Sequence, residues 1–215
     1  MEELNDFTSA SDNPHQYAAA LKEQGRSILG YLCSYTPEEI IHAAGIHPLR
    51  LFGTKGDTGL ADRHLQSYCC SLVRGALADV LGGNLDYLDG AVFPHTCDTI
   101  QRLSDIWRLN TRFRFFADVV LPVKLNSPSA LRYLEDVLRK FRKDLEEGFR
   151  VKITDEGLAR SIHTYNEVRT LLKSLSETHA AHPCALSARD LHAVVKGSMV
   201  LDRNELVPKL ARLAG

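Results

Sequence analysis

Short apolar runs alternate with helix-spaced stretches through the first 125 residues of the chain. Ser27–Cys33 (SILGYLC) and Pro48–Phe52 (PLRLF) are too short for helices and read as buried strands. Between them Ser34 or Thr36 can cap a helix, Pro37 fits its first turn, Glu38 and Glu39 complement its positive end, and Gly45 can stop it. A strand, a short helix and a second strand make a βαβ start with parallel pairing. Leu65–Leu81 (LQSYCCSLVRGALADVL) places Leu65, Cys69, Leu72, Val73, Ala76, Leu77, Val80 and Leu81 on one broad helical face and stops at Gly82-Gly83. Leu88–Phe93 is a third short strand, Asp98–Leu109 a further helix in which Trp107 reads as core, and Phe113–Pro122 a fourth strand.

From Ser127 the pattern changes. Four stretches with polar starts and helical spacing follow, beginning SPSALRYL, TDEGLARS, SARDLHAV and DRNELVPK. The expected fold class is therefore α/β: a small parallel four-stranded Rossmann-like (flavodoxin-like) sheet flanked by helices, then a C-terminal helical segment. The expected division is a helical or flexible lead over 1–26, the α/β domain over 27–125, and helices packing on it over 126–215. The glycine-rich Gly53–Gly59 (GTKGDTG) fits neither a Walker A pattern nor GxGxxG, and reads as a plain connection or a flexible loop on the substrate side.

Composition narrows the function classes. The chain has 215 residues, 44% of them hydrophobic, enough to fold without disulfides or a structural metal. Its 26 basic residues face 27 acidic ones, so there is no basic excess and nucleic acid is excluded as the expected partner. No apolar window approaches ~20 residues and the start is acidic and polar, so no membrane span or signal peptide is expected and the chain reads as cytoplasmic. An odd count of five cysteines points the same way, toward reduced thiols, core fillers or metal ligands.

In open parallel sheets, ligands bind outside the carboxyl ends of the strands. Cys33 ends the first expected strand, Pro94–Cys97 (PHTC) ends the third, and Cys70 lies in the helix after the second. Three thiols are thus candidates to converge on one sheet edge. Thiolates suit iron–sulfur clusters or zinc, which need three or four ligands. No CxxC spacing is present, and small buried cysteines also serve as packing.

The strings GYLCSYTPEEIIHAAGIHPLRLFG, YCCSLVRGAL, LDGAVFPHTCDTIQRLSDIW and HTYNEVRTLL, in that order, resemble the amino-terminal half of the D-component family of 2-hydroxyacyl-CoA dehydratases, which includes subunits of ATP-dependent benzoyl-CoA reductase. The resemblance implies a [4Fe-4S] cluster held by three cysteine thiolates where two α/β domains meet. It places metal ligands at Cys70 of the CSLVR motif and Cys97 of the Cys-Asp dipeptide. The third ligand of the family comes from a second α/β half, and this chain ends about where that half would begin. Cys33, Cys69 or Cys184 would have to substitute, a partner chain would supply the ligand, or no stable cluster forms. Cys33 is the best placed of these. Cys69 precedes Cys70 directly, and adjacent helical positions point roughly 100° apart, which favours packing. Cys184 sits in the helical tail and is not expected to bind.

The resemblance further implies a hydroxyl and a carboxylate that orient and deprotonate the substrate, carried here by Ser34 and Glu39. Capping of a helix explains the same residues without a site role. His95 reads as structural or as a donor to cluster or substrate. Arg74 reads as a partner for a carboxylate or for the phosphates of CoA, or equally as one side of a simple interhelical ion pair. Tyr165, Asn166 and Arg169 share a helix and match the family as structural residues. The implied activity is one-electron reduction of an acyl-CoA thioester, fed by an ATP-dependent activator iron–sulfur protein and carried out with a homologous partner subunit. It would serve either a 2-hydroxyacyl-CoA dehydratase or a benzoyl-CoA reductase. Two alternatives stay open: a non-catalytic subunit-interaction domain, and a zinc module using Cys70, Cys97 and a histidine.

Overall fold

The computed structural model describes residues 2–53, 56–184 and 186–214. Along the chain these form α1 (Glu2–Asp12), α2 (Pro14–Glu23), β1 (Ile28–Tyr31), α3 (Glu38–Ala43), β2 (His47–Arg50), α4 (Gly59–Asp62), α5 (Ser71–Leu81), β3 (Gly90–Pro94), α6 (Asp98–Asn110), β4 (Phe115–Val119), α7 (Pro128–Phe149), α8 (Asp155–Ala181), α9 (Ala188–Gly197) and α10 (Arg203–Ala214). The four expected strands are all present and all parallel, in the order β2-β1-β3-β4. That order reverses between β1 and β3, the switch point of a flavodoxin-like sheet.

Burial explains why the strands formed where apolar residues run together. β1 and β3 are covered on both faces and every residue in them is buried. β4, at the edge, alternates: Phe115, Ala117 and Val119 point inward while Asp118 is exposed. Trp107 of α6 is fully buried, with its ring edge-on to Phe93 of β3 at 5.4 Å and 82°. Gly45 ends α3 in the left-handed conformation (φ +75°), and the amide of Ile46 returns to the carbonyl of Ile41.

The chain divides into two compact units, residues 27–153 and residues 1–26 with 154–215. The first holds the sheet with α3 to α7. In the second, the N-terminal residues are helical and tied to the last helix: Lys209 pairs with Asp6, and Arg212 with Glu3 at 2.6 Å. Phe7 of α1 is fully buried there. Thr154 and Ser187 cap α8 and α9 by accepting from Gly157 and Asp190 amides. Arg203 is buried, stacks over the Tyr165 ring at 5.0 Å, and donates to the carbonyls of Leu201 and Ser198. The guanidinium of Arg169 lies 5.7 Å from the same ring and donates to Asn166, a packing arrangement in keeping with a structural role.

Several local expectations are corrected. The helix expected from Leu65 begins only at Ser71, because Cys70 is extended (φ −65°, ψ 156°) and residues 66–69 form a turn closed by the Cys69 amide on the Gln66 carbonyl. Leu65 and Cys69 are in phase with the helix but only half-buried, and Tyr68 is 82% exposed, so burial gives too little to extend it. Cys70 is consequently not inside a helix. Neither Ser34 nor Thr36 caps α3: Pro37 occupies the capping position, outside the first turn, and no side chain bonds there. β1 stops at Tyr31, so Cys33 lies two residues beyond the strand. Cys184 lies in the turn between α8 and α9, not in a helix. Of the Gly53–Gly59 loop, residues 54 and 55 lie outside the described residues.

Candidate functional site

The parallel sheet sends each connection out at its carboxyl edge and brings each helix back antiparallel to the strands, so the starts of α5 and α6 lie at that edge. Gly53, three residues past β2, fixes this for α5. A Cβ on Gly53 would come within 2.8 Å of the Leu72 carbonyl oxygen and the Ala76 amide nitrogen. Only glycine permits that approach, and its φ of +73° suits glycine as well.

Cys70 and Cys97 occupy equivalent places. Each is the N-terminal capping residue of its helix, each is extended, and each thiol is free on an exposed residue. Their neighbours Cys69 and Asp98 line one cavity of about 480 Å³, together with Tyr68, Thr99 and Arg102. The cavity thus lies between the turn before α5 and the first turns of α6, beside the two thiols, and neither Cys70 nor Cys97 lines it. Unpaired amides at such starts stabilise negative charge, and a thiolate is a soft donor, so the donor chemistry fits an iron–sulfur group. Among the described residues, no group of three or more Cys, His, Asp or Glu is placed to hold a metal ion. Cys33 shares the edge but does not complete a three-ligand group with Cys70 and Cys97, and no histidine does so either.

Cys33 and Tyr35 are non-glycine residues with positive φ, +54° and +71°, in the connection that leaves β1 at the switch point. Left-handed backbone at such residues stores strain, which concentrates at binding loops. Ser34 between them is exposed, and Glu39 is half-buried in the first turn of α3.

His95 follows β3 directly, with its amide on the Val119 carbonyl and Nε2 3.2 Å from Asp118. Arg108 holds the other carboxylate oxygen at 2.6 Å. Burial pushes the Asp118 carboxyl up, but the nearby Ser104 hydroxyl and the hydrogen bonds from Arg108 and His95 together hold it below the usual carboxylate range. His95 is thus a clasp between the β3–α6 connection and the edge strand. Arg74 is paired with Asp62 of α4 at 2.7 Å, the interhelical ion pair among the options the sequence left open.

Residues 33–215 match the family described as 2-hydroxyglutaryl-CoA dehydratase, D-component. The chain belongs to that family. It is 32% identical to one of the benzoyl-CoA reductase subunits of Thauera aromatica, over 93% of its own length and 51% of that protein's. It is 27% identical to the (R)-phenyllactyl-CoA dehydratase beta subunit of Clostridium sporogenes, over 98% of this chain and 56% of the relative. With the beta subunit of (R)-2-hydroxyglutaryl-CoA dehydratase from Acidaminococcus fermentans the identity is 25%, over 98% and 56%. The chain spans about half the length of the curated relatives it matches. None of the helices described in this D-component chain is long and apolar enough to cross a membrane.

Three polar groups at the carboxyl edge were not singled out from the sequence: Arg50, Asp118, and Thr96 within the PHTC stretch. Charged residues in otherwise apolar strands were the available signal for Arg50 and Asp118. Thr36 was noticed only as a possible cap.

Proposed function

We propose that this chain is the cluster-bearing part of a subunit that reduces an acyl-CoA thioester by one electron, in an enzyme of the 2-hydroxyacyl-CoA dehydratase or benzoyl-CoA reductase type. The observation that carries this is the pair of free, exposed thiols at the capping positions of α5 and α6, on the carboxyl edge of a parallel sheet. Cys70 and Cys97 hold a [4Fe-4S] cluster there, with a third ligand from Cys33 or from a partner. A bound cluster supplies one strongly reducing electron. The amides at the two helix starts stabilise the negative charge of the thiolates. Ser34 orients the substrate from the strained β1–α3 connection, and Glu39 takes up a substrate proton. The acyl-CoA lies along the same edge, where a homologous partner subunit excludes water. Val123, Leu125 and Leu131, each more than half exposed after β4, offer apolar surface for that partner. The electron arrives from an ATP-dependent activator iron–sulfur protein in the cytoplasm, where free thiols stay reduced.

The test is anaerobic reconstitution of the chain with iron and sulfide, followed by metal and sulfide assay and an absorption spectrum. Iron and sulfide in equal amounts, with binding lost in Cys70→Ser and in Cys97→Ser, is the expected result. Full iron retention in both variants overturns the assignment, and zinc without sulfide favours a structural zinc site.

A further inference from the structure

Buried polar groups in folded proteins are almost always hydrogen-bonded, and each one left unpaired calls for an explanation. Thr36 Oγ1, Thr96 Oγ1 and Arg50 Nε are buried and have no hydrogen-bond partner among the described residues. All three lie at the carboxyl side of the sheet. Arg50 is the last residue of β2, Thr36 lies in the connection leaving β1, and Thr96 in the connection leaving β3. Tyr31 ends β1 in register with Arg50 and with Val92 of β3, which runs two residues further to Pro94; β1 lies about 4.8 Å from each of these neighbours.

Arg50 stands out by charge. Its guanidinium lies 5.8 Å from the Tyr31 ring, and it has no carboxylate partner among the described residues. Arg74 at this edge is engaged by Asp62, whereas Arg102, near the start of α6, is exposed on the cavity beside the two helix starts. A cation with a buried, unpaired nitrogen and two uncharged hydroxyl donors suit an oxygen that is neutral on arrival and gains negative charge during reaction. A phosphate dianion would bring roughly two negative charges against the one positive charge of Arg50. Arg50 and Thr96 are half-buried residues at this edge. Thr36 is 9% exposed and follows the two left-handed residues, so a modest shift of that strained connection frees its hydroxyl.

We propose that Arg50, Thr36 and Thr96 are the hydrogen-bond donors that receive the carbonyl oxygen of the acyl thioester. This rests on the acyl-CoA reading above and adds the residues that recognise the thioester itself.

The experiment measures binding of matched CoA compounds to the full chain by calorimetry: benzoyl-CoA against S-benzyl-CoA, and lactoyl-CoA against S-(2-hydroxypropyl)-CoA. Each thioether keeps the size of the thioester and lacks the carbonyl. At least one thioester should bind roughly tenfold tighter than its thioether. Arg50→Met should bring the pair within about twofold, Arg50→Lys should keep part of the preference, and Thr36→Val and Thr96→Val should each lower it several-fold. The two valine variants should melt no lower than the parent, because each removes an unpaired hydroxyl without changing side-chain size. A preference unchanged in all the variants, or a parent that binds thioether as tightly as thioester, overturns the proposal and leaves CoA binding standing. A marked drop in melting temperature of a valine variant removes that threonine from the set. If neither member of either pair binds, the acyl-CoA reading itself fails and this proposal falls with it.

Discussion

His95 Nε2 lies 3.2 Å from Asp118 Oδ1, and this contact fastens the connection that carries Thr96 and Cys97 to the edge strand β4. An ionised carboxylate only accepts, so the histidine donates. With Arg108 on the other oxygen, one carboxylate in a short edge strand holds both the start and the last turn of α6 in place.

Asp118 should therefore contribute stability that depends on pH in a definite direction. Its folded-state pKa is depressed, so the contribution is present above the unfolded carboxylate value of about 3.9 and is lost as pH falls through the folded one. Asp118→Asn should cost roughly 1 kcal/mol at pH 7, a modest figure because the side chain is 31% exposed. Melting curves of both proteins between pH 7 and 3 should converge at the acid end; a gap that stays constant contradicts the argument.

The cysteines should separate by position. After anaerobic reconstitution, Cys70→Ser and Cys97→Ser should each lose the iron, because a four-iron cluster with one fewer thiolate is under-ligated. Cys184→Ser, in the turn between α8 and α9, should bind as much iron as the parent. Iron assay of the three variants side by side reads the difference, and loss in Cys184→Ser would show that the edge is not the site.

Gly53 and Gly45 share a left-handed backbone but not their surroundings. Alanine at Gly45 meets nothing within 4 Å and should cost only the backbone term, about 1 kcal/mol. At Gly53 the added carbon would press on the backbone of α5 at 2.8 Å, displacing the helix that carries Cys70. Gly53→Ala should be the more destabilising by at least roughly 1–3 kcal/mol in urea unfolding. Equal effects would mean that α5 is not held by this contact.

In the helical unit, Arg203→Met should destabilise by roughly 2–3 kcal/mol, since the Leu201 and Ser198 carbonyls lose their donor inside the core. Denaturant unfolding measures it. A neutral effect would show that methionine packing over Tyr165 replaces the guanidinium fully.

The parallel α/β sheet and its following helices were legible in the chain because burial on both faces demands continuous apolar runs, and those occur at β1, β2 and β3 with helix spacing between them. The edge position of Cys33 and Cys97 was legible, since a residue soon after a strand in such a sheet emerges at the carboxyl edge, whereas Cys70 stands twenty residues past β2 and owes its place to the start of α5. Local periodicity did not decide where α5 begins. Leu65 and Cys69 keep the helical phase, yet the helix starts only after them because no core lies beneath. Nor could spacing show that Cys70 and Cys97 are both capping residues, or that the N-terminal residues belong with α10, which depends on contacts between residues about two hundred positions apart. Composition and pattern determine which segments seek burial. Which polar groups are left unpaired at the edge, Arg50, Thr36 and Thr96 among them, is decided only when the folded chain has brought its donors and acceptors together.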